Sequence, residues 1–324
     1  MITVALIGCG EFVRKTHLAN LLADGRFRIR AAVDLDSTAA RSIAEQSHAA
    51  YWTTDPGQAL ADPEVDLVFI ATPHHTHAAL SIQAAKAGKH VFCEKPMGLH
   101  EEECQAVAKA VQEAGVLYMV GHNRAYAPFT QTIVHLLRRL QAPMLIYHRV
   151  ADWNPYSHGW LLDESLSGGR VIGEGSHLAD LMCQFTGQNP RRIYAEGGNF
   201  AEPSPTSAPD SVLFTVGFSD GSAGVAFISS VANNAFPKEE IQITCANHTI
   251  VLSNFQFLDI YAPEGKQSFS LPAIDKGHRN ELDALARAIL HGEPTLTGLE
   301  EALRAAQCTF AAVQAVRTHQ VQNL

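Results

Sequence analysis

Residues 2–13 read ITVALIGCGEFV. Ile2 to Ile7 is an unbroken apolar run of strand length, and Glu11 to Leu22 has the pattern of a helix. Between them stands Gly8-Cys9-Gly10. A buried strand, a Gly-x-Gly turn and a helix in succession open a dinucleotide-binding unit. The first glycine permits the tight turn and the second lets backbone approach a pyrophosphate, which then lies on free N–H groups at the helix start. Gly8, Cys9, Gly10, Glu11, Phe12 and Val13 are therefore candidate cofactor contacts. Val13 occupies the position of the usual third glycine, so its bulk is expected to push the helix slightly off the sheet.

The same alternation continues downstream. Phe27 to Val33 is a second strand closing on Asp34, and Val65 to Ala71 is a third, ending in Thr72-Pro73. A helix from about Thr76 to Ala87 stops at Gly88. His90 to Phe92 is a short buried strand ending in Cys93-Glu94-Lys95-Pro96. A helix from about Glu101 to Ala114 stops at Gly115, and Leu117 to Val120 is another strand. Strands alternating with helices of this length imply a parallel, doubly wound sheet. In such sheets ligands sit outside the carboxyl ends of the strands. Those ends carry Gly8, Asp34, Thr72 and Glu94-Lys95.

An acidic residue ending the second strand can hold both hydroxyls of an adenosine ribose. Asp34, with Asp36 two residues on, would repel a 2′-phosphate, so NAD is expected rather than NADP. The alternative for Asp34 is a helix cap for the segment from Ser37. Proline cannot donate to a sheet ladder, so Pro96 turns the chain out. A lysine held there, partly desolvated, can share a proton with a substrate oxygen. The alternative is a surface Glu94–Lys95 pair before a turn. His74, His75 and His77 have no carboxylate or cysteine at ligand spacing, so no metal is expected; one of them can line a cofactor cleft.

The alternation stops near Gly121, and two domains are expected, over residues 1–121 and 122–324. His122 to Pro128 is a polar connector into a helix of about Phe129 to Leu140. Met144–Val150, Arg191–Gly197, Asp210–Phe218, Ser222–Ser230, Glu240–Thr244, Thr249–Leu252 and Phe257–Tyr261 all have strand patterns with short turns. The second domain is thus an α+β unit with an open, mostly antiparallel sheet; residues 201–209 form a loop. A glycine-rich stretch from Gly168 to Gly175 leads into a helix running to about Thr186. Glu174 and His177 are expected on one side of its first turn, where the helix dipole favours a neutral imidazole able to accept a proton. The alternative is that Glu174 caps the helix and His177 is a satisfied core histidine. Two amphipathic helices, from Lys276 to Ile289 and from Leu299 to about Thr318, complete the chain.

Composition narrows the classes of function. Of 324 residues, 46% are hydrophobic and 18% charged, which permits a large core, and the net charge of −9 argues against nucleic acid or an anionic membrane as partner. No apolar run is long enough to span a bilayer, and no basic n-region or cleavage site follows Met1. Six scattered cysteines without a Cys-x-x-Cys pair fit a reducing, cytoplasmic setting.

Gly8-x-Gly10, Asp34, Thr72-Pro73-x-x-x-His77, Glu94-Lys95-Pro96, and Gly168-Gly169 followed by His177-x-x-Asp180 occur in that order over nearly the whole chain. This constellation resembles the glucose–fructose oxidoreductase / inositol dehydrogenase family (Gfo/Idh/MocA). The resemblance implies a Rossmann domain followed by an open-faced sheet domain, and an NAD-dependent dehydrogenase or reductase acting on a hydroxyl or ketone of a sugar, sugar derivative or cyclitol. It implies catalytic roles for Lys95 and His177, and a Lys95–Pro96 bond that is often cis in the family. Thr72, Pro73, His77, Glu94 and Lys95 join the candidate cofactor contacts. Many members carry aspartate four residues before the histidine; Gly173 stands there, and Glu174 is the candidate replacement. Arg124, Tyr126, Asp152, Trp153, Trp160, Asp163 and Glu174 are candidate substrate contacts. A homo-oligomer, dimer or tetramer, assembled through the open sheet is expected. An NAD-retaining glycosidase and a non-catalytic ligand sensor of the same fold remain as alternatives.

Overall fold

The computed structural model describes residues 1–153, 159–201 and 208–324. The chain divides into two compact units, Met1–His122 with His278–Leu303, and Asn123–Gly277 with Arg304–Leu324. This differs from a single cut at 121/122, because a late segment returns to the first unit. Leu282 and Leu285 of the helix His278–His291 are buried, Arg26 Nη2 donates to Asp283 at 2.8 Å, and Val120 N donates to Thr297 O at 2.9 Å. An amphipathic stripe dictates that a helix packs, but not against which sheet.

The first unit holds six strands: β1 (Ile2–Ile7), β2 (Phe27–Val33), β3 (Tyr51–Thr53), β4 (Leu67–Ile70), β5 (His90–Cys93) and β6 (Tyr118–Val120). They form one sheet in the order β3-β2-β1-β4-β5-β6, and every pairing is parallel. This is the doubly wound Rossmann order, with its switch point between β1 and β4. Burial on both faces explains the continuous apolar runs: all of β1 and β4 is buried. β3 escapes the sequence pattern because it is three residues long and only Thr53 is buried.

Among the described residues the second unit holds nine: β7 (Met144–Ala151), β8 (Pro190–Gly198), β9 (Ser211–Phe218), β10 (Ala223–Ser229), β11 (Glu239–Cys245), β12 (His248–Ser253), β13 (Phe257–Ala262), β14 (Gly265–Ser270) and β15 (Gln322–Asn323). Their order is β14-β13-β12-β11-β7-β10-β9-β8-β15, antiparallel except for β7 with β10. The edge strands β14 and β15 carry no buried residue, so no hydrophobic alternation marks them. Helix Gly169–Thr186 packs on β7, β9 and β10. The opposite face leaves Leu145, Leu213, Phe257 and Tyr261 exposed. Of the loop expected over 201–209, residues 202–207 lie outside the described residues. Among the described residues no helix is long and apolar enough to cross a membrane.

The switch point depends on Gly8. Its φ is +97°, and a Cβ there would stand 2.3 Å from the Ala71 carbonyl oxygen. At Gly10 a Cβ would meet nothing within 4 Å. Gly8→Ala should therefore cost about 2 kcal/mol or more of unfolding free energy, through backbone strain and overpacking. Gly10→Ala should stay within about 0.5 kcal/mol of the native chain. Urea unfolding of the two variants checks this.

Candidate active site

Parallel strands leave together on one edge, and here their exit residues are locked into a row. Asp34 N donates to Thr53 O, Gly8 N to Val33 O, Ala71 N to Ile7 O, Glu94 N to Ile70 O and Gly121 N to Cys93 O, over 2.8–3.3 Å. Asp34, Gly8, Thr72 and Glu94-Lys95 are thereby brought to one rim of the first unit. Asp34 Oδ2 accepts from Cys9 N at 2.7 Å and Oδ1 from Asp36 N at 2.9 Å. The helix cap falls to Asp36, which accepts from Thr38 N at 2.8 Å to start Ser37–Ser47. Asp34 is half-buried and tied to the glycine turn, not to the helix behind it.

Arg14 N donates to Gly10 O at 3.2 Å, so Gly10 opens the helix, and its first turn follows directly on the glycine turn. Open space over Gly10 together with an acidic residue at the end of β2 fits a dinucleotide: phosphates over Gly10 and the helix start, ribose at Asp34. Glu11 and Phe12 are exposed beside this turn, and Glu11 pairs with Lys15. Val13 is fully buried. Its bulk coincides with a π-helical turn, Val13–His17, where a regular α-helix was expected.

Glu94 is buried, and its Oε1 lies 2.6 Å from His17 Nε2. Burial pushes the Glu94 carboxyl up, but the His17 hydrogen bond and the charges of His17, Lys95 and His278 hold it below the usual range. Lys95, half-buried, is the first residue beyond the row, and the Lys95–Pro96 bond is cis. Thr72 and Pro73 are half-buried at the same rim; Thr72 Oγ1 lies 2.6 Å from Thr76 Oγ1. His77 has a different place from the one expected. It is fully buried, with Nδ1 2.7 Å from Pro96 O and Nε2 2.8 Å from Thr72 O. It braces the two loops of the rim and presents no surface to a cofactor. Burial pushes its pKa down, which favours a neutral ring that donates to one of these carbonyls. Among the described residues no group of three or more His, Cys, Asp or Glu is arranged to hold a metal ion.

In the second unit the helix bearing His177 begins two turns earlier than expected, at Gly169. His177 is buried in its third turn, beyond the reach of the N-terminal dipole, and Glu174 is not a cap. Gly175, one of the glycines that suggested a loop, serves packing instead. A Cβ on Gly175 would lie 3.3 Å from Ile228 Cδ1, so the helix rides close on β10, and that contact overrides the low propensity.

One turn before His177, Glu174 accepts from Arg124 Nη2 at 2.7 Å. The same guanidinium binds both oxygens of Glu239 at 2.7 and 3.1 Å. Glu239 also meets His148 Nε2 at 3.0 Å and Lys276 Nζ at 2.7 Å. Burial pushes the Glu239 carboxyl up, yet Arg124 and Lys276 hold it well below its usual value. Asn123 Nδ2 donates to Lys276 O at 2.7 Å, and Gly277, at φ +88°, lets that segment approach within a Cβ-excluding distance of Asn123 O and Ala127 N.

The remaining expected substrate contacts have these surroundings. Tyr126 is buried in the same turn as Arg124, Asn123–Tyr126. Asp152 is engaged by Arg170 at 2.5 Å and Lys238 at 2.6 Å, leaving it a structural ion pair. Asp163 caps the short helix Glu164–Ser167 by accepting from Ser165 N at 2.9 Å. Trp153 is exposed and Trp160 half-buried. His17 and Glu239 were missed. Both had a signal: His17 is four residues from Val13 and Leu21 on the apolar stripe, and Glu239 shares the inward phase of Ile241 and Ile243.

Comparison with known proteins follows the same division. Residues 2–122 match the family model for the NAD-binding Rossmann fold of the Gfo/Idh/MocA oxidoreductases, and residues 139–251 match the C-terminal domain of the same family. The chain belongs to the Gfo/Idh/MocA oxidoreductase family. This Gfo/Idh/MocA chain is 28% identical over 228 residues to the uncharacterized oxidoreductase YrbE of Bacillus subtilis, covering 69% of this chain and 66% of that protein. It is 28% identical over 199 residues to a levoglucosan dehydrogenase of Pseudarthrobacter phenanthrenivorans, covering 53% and 51%. The matches thus span about half to two thirds of these two curated relatives. A solved levoglucosan dehydrogenase, in complex with NADH and levoglucosan, shares the fold with a TM-score of 0.89 over 99% of each chain at 19% identity.

The Glu239 cluster makes a stability prediction. E239Q leaves Arg124 and Lys276 short of a buried counter-charge and should cost about 3–5 kcal/mol at pH 7. The depressed carboxyl contributes fully above the ordinary glutamate value of about 4.3, and its contribution fades as pH falls below that value. The gap between native and E239Q unfolding curves should narrow accordingly in urea titrations from pH 7 to 3.5.

Proposed function

We propose that this protein transfers a hydride between NAD and a secondary hydroxyl or ketone of a sugar, sugar derivative or cyclitol. The reading is carried by one observation: Asp34, the Gly8–Gly10 turn and Glu94-Lys95 stand on a single hydrogen-bonded row of strand exits. The N–H groups after Gly10 bind the pyrophosphate, and Asp34 takes the adenosine ribose hydroxyls. Asp34 already accepts two backbone N–H groups, and an acidic side chain fixed there leaves no place for a 2′-phosphate. NAD supplies the hydride acceptor or donor when bound. Lys95 donates a hydrogen bond to the reacting oxygen and stabilises negative charge as it develops. His177 holds the proton that leaves or returns to that oxygen. Glu174, held by Arg124 Nη2 at 2.7 Å, is the acidic group that orients a neighbouring substrate hydroxyl.

The open face of the second sheet, with Leu145, Leu213, Phe257 and Tyr261 exposed, favours a homo-oligomer, and six free buried cysteines favour the cytoplasm. Light scattering on a sizing column tests the first.

The decisive experiment is an NAD-reduction screen across cyclitols, free sugars, anhydrosugars and sugar nucleotides; no turnover on any of them overturns the reading. Lys95→Met should then lower kcat by at least about a hundredfold while NAD still binds. Asp34→Ala should erode the preference for NAD over NADP in kcat/KM by about tenfold or more. Wild-type turnover of the first variant, or a native preference for NADP, would contradict these assignments.

A further inference from the structure

His17 belongs to none of the roles above, yet it is fully buried behind the first unit's rim. It ends the π-helical turn Val13–His17, in which Leu18 N donates to Val13 O five residues back. The extra residue in that turn rotates every later side chain by about 100° relative to a continuous α-helix. The ring packs edge-on to Phe12, Phe69 and Phe92, with centroids 5.1, 4.9 and 6.0 Å away. Its Nε2 meets Glu94 Oε1 at 2.6 Å, and the other carboxylate oxygen accepts from Lys95 N at 3.2 Å. The carboxylate fills a space that only glycine at 121 leaves. A Cβ there would stand 2.9–3.0 Å from all three carboxylate atoms. Neither partner has room to swing away.

We propose that His17 is a positioning residue: acting through the Glu94 carboxylate, it fixes the peptide that carries Lys95 and so sets where the lysine ammonium stands. The same helix opens at Gly10, so phosphate binding and lysine placement share one rigid element. This inference rests on the role given to Lys95 above. Without the imidazole, Glu94 would lose its side-chain donor in a buried site, a loss that falls on the buried carboxylate itself. The Lys95 N–H would then face a carboxylate no longer held at its other oxygen.

Three variants test it in the full-length protein: H17L, which keeps the apolar packing without a donor; H17Q, which keeps an N–H donor; and K95M. H17M replaces H17L if the latter does not fold. The first readout needs no substrate. Acetylation of Lys95 by acetic anhydride in the cofactor-free protein, followed by peptide mass spectrometry, should change at least about threefold in H17L and return toward the native rate in H17Q, with exposed Lys109 as the unchanged internal reference. NADH affinity, read by fluorescence, should stay within about threefold in both. With a polyol that supports turnover, H17L should lower kcat about tenfold at nearly unchanged KM for NAD, and should add little further loss to K95M. Native Lys95 labelling in H17L, or failure of H17Q to restore it, overturns the inference. Native turnover in K95M would instead overturn the role of Lys95 and leave the labelling result to stand alone.

Discussion

One row of backbone hydrogen bonds, running from Thr53 through Val33, Ile7, Ile70 and Cys93, sets where every strand of the first unit lets go of the sheet. Register in a parallel sheet is cooperative, so the exit residues are ordered together. That ordering presents Asp34, Gly8, Thr72 and Glu94-Lys95 on a common rim. The row has two tight points, Gly8 against the Ala71 carbonyl and Gly121 against the Glu94 carboxylate. At each, the missing Cβ belongs to the site's geometry as much as any charged side chain does. The first lets strands at the switch point close up, and the second makes room for a buried carboxylate.

The second unit meets a different constraint. Arg124, Glu239, Lys276 and Glu174, with the His148 ring beside them, put charged and polar groups where the sheet and its central helix would otherwise bury only apolar groups. Desolvating such a cluster is expensive, and similar volumes of apolar side chain are often at least as stable. The compensation is orientation. Each oxygen of Glu239 is bound at least once, Arg124 is committed on two sides, and Glu174 is held at a fixed angle one turn before His177. Gly175 of helix Gly169–Thr186 serves the same end by bringing that helix close to β10.

Much of this was legible before any coordinates. Apart from β3 and the short helix Pro56–Ala61, the order of strands and helices over residues 2–120, the glycine turn, the acidic end of β2 and the Glu94-Lys95-Pro96 exit follow from hydrophobic period and turn chemistry. So do seven of the nine strands of the second sheet, because one inward face imposes alternation. β3, β14 and β15 were not legible, being short or exposed. The start of the helix carrying His177 was misplaced because glycine reads locally as a breaker, whereas its value here lies in contacts with Phe214, Ile228 and Thr309, all far along the chain.

Local pattern by itself determined which residues are apolar, which turns are forced and which charged groups must stand at strand ends, since these depend only on neighbours within a few positions. Partnership was decided by the tertiary structure alone. That His17 meets Glu94, that Arg124 joins Glu174 to Glu239, that His77 braces two loops, and that His278–Leu303 returns to the first unit all involve residues far apart in the chain. Contacts at such separations are chosen by how whole faces fill space and satisfy buried charge, and no run of adjacent residues encodes that choice.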